Sequence, residues 1–161
     1  MTARPRSQVD EPMHPDAGLR VPPRRRRTWR DQGPVVAVVA LGGGTGAAAR
    51  YGASLLWPVA AGGFPWTTLC VNAAGCAVLG IFMVVVSDVW AAHRLVRPFF
   101  GTGVLGGFTT FSAYAVDIQR LVDEGEARNG LLYLAVTPVA ALAAVWLAVT
   151  ATRRVLARRQ G

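Results

Sequence analysis

Lysine is absent from this 161-residue chain; all 17 basic residues are arginine. Acids are scarce, nine in total, and none lies between Asp31 and Asp88. Cysteine occurs twice, as Cys70 and Cys76 in one apolar run. Six positions apart, they do not share a helical face, so neither a disulfide framework nor a thiolate metal site is indicated. No Ser/His/Asp set and no metal-ligand cluster can be assembled from what remains, and the chain does not read as an enzyme. Charged residues make up only 16% of the sequence against 52% hydrophobic, with mean hydropathy +0.34. That is too apolar for a soluble domain of this size. The net charge of +8 gathers at the two ends. Such a distribution favours anionic lipid headgroups over nucleic acid, which calls for an interleaved basic patch.

What is present is a basic tail and four long apolar stretches. Residues 1–33 hold five of the ten prolines and the block Arg24-Arg25-Arg26-Arg27. Lacking apolar periodicity, they read as a disordered tail. An export signal is the alternative, but the apolar stretch that follows does not stop where a cleaved signal would. Spans are expected at about 35–56, 66–86, 98–122 and 130–152. Uncharged runs of roughly 19 residues or more can cross a hydrocarbon core of about 30 Å. The expectation is therefore an all-α membrane protein, with a four-helix domain over 34–152 and a basic tail over 153–161.

The first span contains Gly42-Gly43-Gly44-Thr45-Gly46-Ala47, which mimics a dinucleotide-binding fingerprint. That motif needs an acid about twenty positions later to hold a ribose, and none follows before Asp88. In a membrane helix the same small residues permit close helix contact. Arg50 near its end can snorkel to the headgroups or face a watery vestibule. The second span has one strongly polar side chain, Asn72, readable either as helix–helix glue or as a pore group. In the fourth, Tyr133 and Thr137 stand four apart on one face, with Pro138 adjacent.

The third span is the unusual one. Inside the uncharged run from Pro98 to Val116 lies Gly106-Gly107-Phe108-Thr109-Thr110-Phe111-Ser112-Ala113-Tyr114. Paired glycines before paired threonines predict a helix that breaks. At membrane depth a break is tolerated where it lines a cavity or binds an ion. Phe111 and Tyr114 then share a face, with Thr110 and Ser112 offering hydroxyls beside it. Hydroxyl donors and aromatic edges, which carry the positive end of the ring quadrupole, suit a small anion.

This stretch, completed by Asp117, resembles the signature of the Fluc/CrcB fluoride channel family. The Gly43-Gly44-Ala47-Arg50-Tyr51 segment and the Thr68-Leu69-Val71-Asn72-Gly75 pattern are similar to family motifs in the same order. The resemblance implies a passive, fluoride-selective channel in the cell membrane that lets toxic cytoplasmic fluoride leave. It implies an antiparallel dimer with a structural sodium ion at its centre, held by backbone carbonyls at Gly106 and Thr109. It places Phe111, Tyr114, Asn72, Thr110, Ser112, Tyr133 and Thr137 on the fluoride path. Three positions depart from the signature: Tyr114 stands for a second Phe, Ala113 for a common Thr, and Asp117 for Glu. A proton-coupled multidrug exporter of similar size would want a carboxylate deep in the membrane, which the first span lacks. A non-conducting subunit would need no Thr-Thr-Phe-Ser cluster.

Charge also predicts orientation. With four spans, fourteen arginines fall on the side of the two termini and the 88–97 loop, against Arg120 and Arg128 on the other. The positive-inside rule puts both termini in the cytoplasm. A homodimer built antiparallel needs one sequence to insert both ways, so this bias points to a sibling chain of opposite orientation as partner, with a homodimer the alternative.

Overall fold

The structure, a computed structural model, describes residues 29–60, 62–89 and 93–160. Of the tail expected over 1–33, residues 1–28 lie outside the described residues, and 29–33 belong to the first helix. Every described element is helical, and no strand occurs among the described residues. Helix α1 spans Trp29–Leu56 and α2 spans Trp66–Val84, the latter widening into a π-helical turn at Val85–Val89. Helix α3 begins as a π-wound stretch, Arg97–Leu105, and runs directly into one α-turn, Gly106–Phe108. After three residues outside the helix, α4 covers Ser112–Asp123 and α5 covers Ala127–Gln160. Three stretches, Gln32–Leu56, Trp66–Asp88 and Ala127–Arg159, are long and apolar enough to cross a membrane. This is a membrane protein.

Helix α1 begins six residues upstream of the expected Val35, and α5 continues past residue 152 through Arg153 and Arg154 to Gln160. Arginine is a good helix former, so the change from apolar to basic sequence ends the hydrocarbon-facing part of α5 without ending the helix. The ends of α2 and α5 meet there, with Arg153 Nε 3.7 Å from Asp88 Oδ2.

The glycines of α1 have a packing role. A Cβ on Gly42 would strike the carbonyl oxygen of Phe99, one on Gly46 that of Val104, and one on Gly107 that of Gly43. Glycine lowers helix propensity by about 1 kcal/mol relative to alanine. In return, the α1 and α3 backbones approach in a way no larger residue allows. The nucleotide-like spelling Gly42–Ala47 is thus one half of a helix–helix seam. Gly75 on α2 plays a comparable part, since a Cβ there would overlap the Thr109 side chain.

The buried core joins α2, α4 and α5 through Leu69, Tyr114, Leu121 and Tyr133, with Phe64, Ile118 and Ala140 packed against it. The α4–α5 corner is closed by a Schellman arrangement. Glu126 N–H donates to Leu121 O at 2.8 Å and Gly125 N–H to Val122 O at 3.1 Å, with Gly125 at φ +85°. The corner is also tied to the α1–α2 turn, where Gly62 N–H donates to Glu124 Oε2 at 2.7 Å.

Candidate functional site

Between α3 and α4, Thr109 leaves the helix in an extended conformation (φ −75°, ψ 153°). An interrupted helix strands backbone groups, and in apolar surroundings each needs a partner. Side chains supply several of them. Asn72 on α2 clamps Thr110 reciprocally: its Nδ2 donates to Thr110 O at 3.0 Å, and Thr110 N–H donates to its Oδ1 at 2.8 Å. Ala113 N–H donates to Thr110 Oγ1 at 3.1 Å, so the threonine caps the start of α4. Thr109 Oγ1 donates back to Leu105 O at 2.9 Å. Arg50 on α1 reaches Gly107 O, with Nε at 3.4 Å.

Two of these bonds expose carbonyls. In an uninterrupted helix Thr110 N–H would serve Gly106 O, and Ala113 N–H would serve Thr109 O. Both donors are turned to side chains instead. Gly106 and Thr109, the two positions the resemblance assigns to sodium, are therefore two of the carbonyls that lose their helical donors at the interruption, these two to side chains. Oxygen donors of this kind suit a hard cation.

Beside the interruption lies an open groove of about 570 Å³. Asn72, Gly106, Thr109, Thr110, Phe111, Tyr114 and Thr137 line it, with Leu134, Pro138 and Ala141 of α5 forming the facing wall. Seven expected site residues, from four helices and the segment between α3 and α4, thus converge. Ser112 lies next to this set, with its Oγ 3.2 Å from Thr110 Oγ1. Because Thr110 Oγ1 accepts from Ala113, its own proton remains to be given, either to Ser112 or into the groove. Thr137 Oγ1 is buried and makes no bond of acceptable geometry, although the Tyr133 hydroxyl is near enough to interact with it.

The aromatic pair is asymmetric. Phe111 is 79% exposed and Tyr114 only 8%, with centroids 5.6 Å apart and planes at 52°. The Tyr114 hydroxyl donates to Leu134 O at 2.7 Å.

Tyr133 does not line the groove. It is fully buried, edge-on to Phe64 at 5.4 Å and 5.2 Å from the Tyr114 ring. It shares a helical face with Thr137 as expected, but Phe64, entering α2, draws its ring into the core one turn away. Its hydroxyl lies 3.4 Å from Asp117 Oδ2, to which Thr68 Oγ1 donates at 2.7 Å. The Thr68–Asp117 pair is absent from the sequence-derived set. A signal for it exists, since Thr68 precedes Asn72 by one helical turn and Asp117 is the acid nearest a span interior.

Residues 37–149 match the family described as CrcB-like protein, Camphor Resistance (CrcB). A protein of Streptomyces coelicolor named fluoride-specific ion channel FluC 1 is 69% identical over 143 residues, covering 89% of this chain and 93% of its own. One of Streptomyces avermitilis named fluoride-specific ion channel FluC 2 is 70% identical over 146 residues, covering 91% and 92%. A more distant relative from Paracoccus denitrificans, named fluoride-specific ion channel FluC, is 44% identical over 119 residues, covering 74% and 94%. A groove built on an interrupted helix and a family match over most of the length agree, and the chain belongs to the CrcB-like family of membrane proteins.

Proposed function

We propose that this chain is a subunit of a passive, fluoride-selective channel that lets cytoplasmic fluoride leave down its gradient. The observation that carries the reading is the convergence of Asn72, Thr110, Phe111, Tyr114 and Thr137 on one groove at membrane depth, in a chain whose relatives bear the name fluoride-specific ion channel. Fluoride is small and strongly hydrated, so a path for it must replace water by closely spaced donors. The Thr137 hydroxyl, the Thr110–Ser112 pair and the ring edges of Phe111 and Tyr114 form such a series. Asn72 has a different first duty: it holds the Thr110 backbone, leaving one amide proton for the groove.

On this reading α3 and α4 together are one membrane span, broken at Thr109. The groove is open on one side with Phe111 bare at its lip, and a second chain packed antiparallel closes it. The diverted carbonyls of Gly106 and Thr109, with those of a second subunit, would hold a sodium ion, which would supply positive charge there. The Asn72 clamp on Thr110 keeps the break from relaxing into continuous helix. The arginine bias places both termini in the cytoplasm and favours a heterodimer with an oppositely oriented sibling.

Liposomes holding the purified chain, alone and with a sibling chain, test the function. Fluoride efflux far above chloride efflux, unchanged when the pH gradient is abolished, is the expected result. Equal rates for the two anions refute selectivity, and collapse of flux without a pH gradient favours a proton-coupled carrier.

A further inference from the structure

Tyr114 and Pro138 are individually odd. One replaces a phenylalanine of the signature, and the other interrupts a polar face of α5 inside a membrane-crossing helix. The geometry joins them. Proline has no N–H, so the carbonyl four residues before it loses its helical donor. For Pro138 that carbonyl belongs to Leu134, and Leu134 O is the group to which the Tyr114 hydroxyl donates at 2.7 Å. Leu134, Pro138 and Tyr114 all border the groove.

We infer that Pro138 is a positioning residue for the ion path: it leaves Leu134 O bare, and that oxygen holds the Tyr114 hydroxyl against α5 and out of the groove. The Tyr114 ring is gripped on its other sides by Tyr133 at 5.2 Å and Phe111 at 5.6 Å. With its single proton engaged, the hydroxyl has none left for an anion, and the oxygen that remains repels one. Tyr114 therefore offers fluoride a ring edge and nothing else. A phenylalanine at 114 beside a proline at 138 would leave Leu134 O unsatisfied at membrane depth, which is unfavourable. The tyrosine is tolerated because of the proline, and the proline because of the tyrosine.

The inference deepens the channel reading and rests on it for its functional arm. A double-mutant cycle tests it with two readouts, fluoride efflux from liposomes and the carbonyl carbon resonance of labelled Leu134 in the intact protein. Tyr114→Phe is expected to slow efflux about tenfold, the size expected for one orphaned carbonyl, and to shift the Leu134 resonance toward a free carbonyl. Pro138→Ala restores an N–H to that carbonyl. The double variant Tyr114→Phe/Pro138→Ala is therefore expected to recover most of the efflux that Tyr114→Phe loses and to show a bonded Leu134 carbonyl, the mark of strong coupling between sites. Should Tyr114→Phe assemble poorly, recovery of assembly in the double variant is the same result. Parent-like flux in Tyr114→Phe, or a double variant no better than that single one, overturns the inference. If the parent itself fails to conduct fluoride, the channel reading falls, while the Leu134 resonances still decide the pairing.

Discussion

Asn72→Leu removes the clamp on the helix interruption at nearly constant volume, and its consequences can be worked out bond by bond. Asn72 is 8% exposed and makes two bonds to the backbone of Thr110, at 3.0 and 2.8 Å. Side-chain hydrogen bonds inside membrane proteins average about 0.6 kcal/mol and reach about 1.7 kcal/mol. Two of them give a destabilisation of about 1–3 kcal/mol. Released from Asn72, Thr110 N–H is free to swing back toward Gly106 O and rebuild a helical turn, which removes one of the two diverted carbonyls. The expected outcome is thus a moderate loss of stability, a larger loss of fluoride flux and, on the sodium-centred dimer proposed above, weaker protection by sodium. Asn72→Asp sharpens the contrast, because it keeps an acceptor for Thr110 N–H but sets an oxygen against Thr110 O. Denaturant unfolding in bicelles, with and without sodium, measures the first and third effects, and liposome efflux the second. Unchanged unfolding and parent-like flux in Asn72→Leu would refute the clamp; lost flux with unchanged unfolding would make Asn72 a donor only.

Phe111→Ile retains apolar bulk and removes a ring edge, so efflux should fall at least tenfold while expression and dimer yield, read by size-exclusion chromatography, stay close to the parent. Gly46→Val drives a branched side chain into the Val104 carbonyl, and the expected result is loss of folded protein in detergent; a monodisperse, conducting variant would show that the α1–α3 seam can open. Cytoplasmic reporters fused to the C-terminus should be active in nearly all copies when the chain is expressed alone, and comparable populations in both orientations would remove the argument for a sibling chain.

Three of the four expected spans were legible because length and the absence of charge are one-dimensional properties; residues 98–122 form no single long helix. The three residues outside the helix between α3 and α4 fall where Gly106-Gly107 and Thr109-Thr110 weaken a helix locally, whatever surrounds them. Partnerships across elements were much less legible. Asn72 reads from sequence as a single costly amide, and only the fold reveals that both its ends are used on Thr110. Tyr133 and Thr137 share a helical face, as their spacing requires, yet Phe64, just before α2, packs one into the core and leaves the other at the groove. Tyr114→Phe looks harmless from the sequence, since the ring is kept. The bond to Leu134 O reverses that expectation, because the proline that makes it necessary lies 24 positions away.

The wide winding of Arg97–Leu105 acts as a phase adjuster in a screw thread. A π-helical turn carries one residue more than an α-turn, and one residue of an α-helix corresponds to roughly 100° of rotation about the axis. Everything downstream is therefore dialled to an azimuth that an ordinary helix of the same sequence would miss. Here the dial setting presents Gly103 and Gly107 to α1 while Gly106 and Thr109 border the groove. Rewinding this stretch as α-helix at its present length, with no side chain of the groove altered, would turn the threonines and Phe111 away from Asn72. The winding of α3 is in that sense as much a determinant of the groove as the residues that line it.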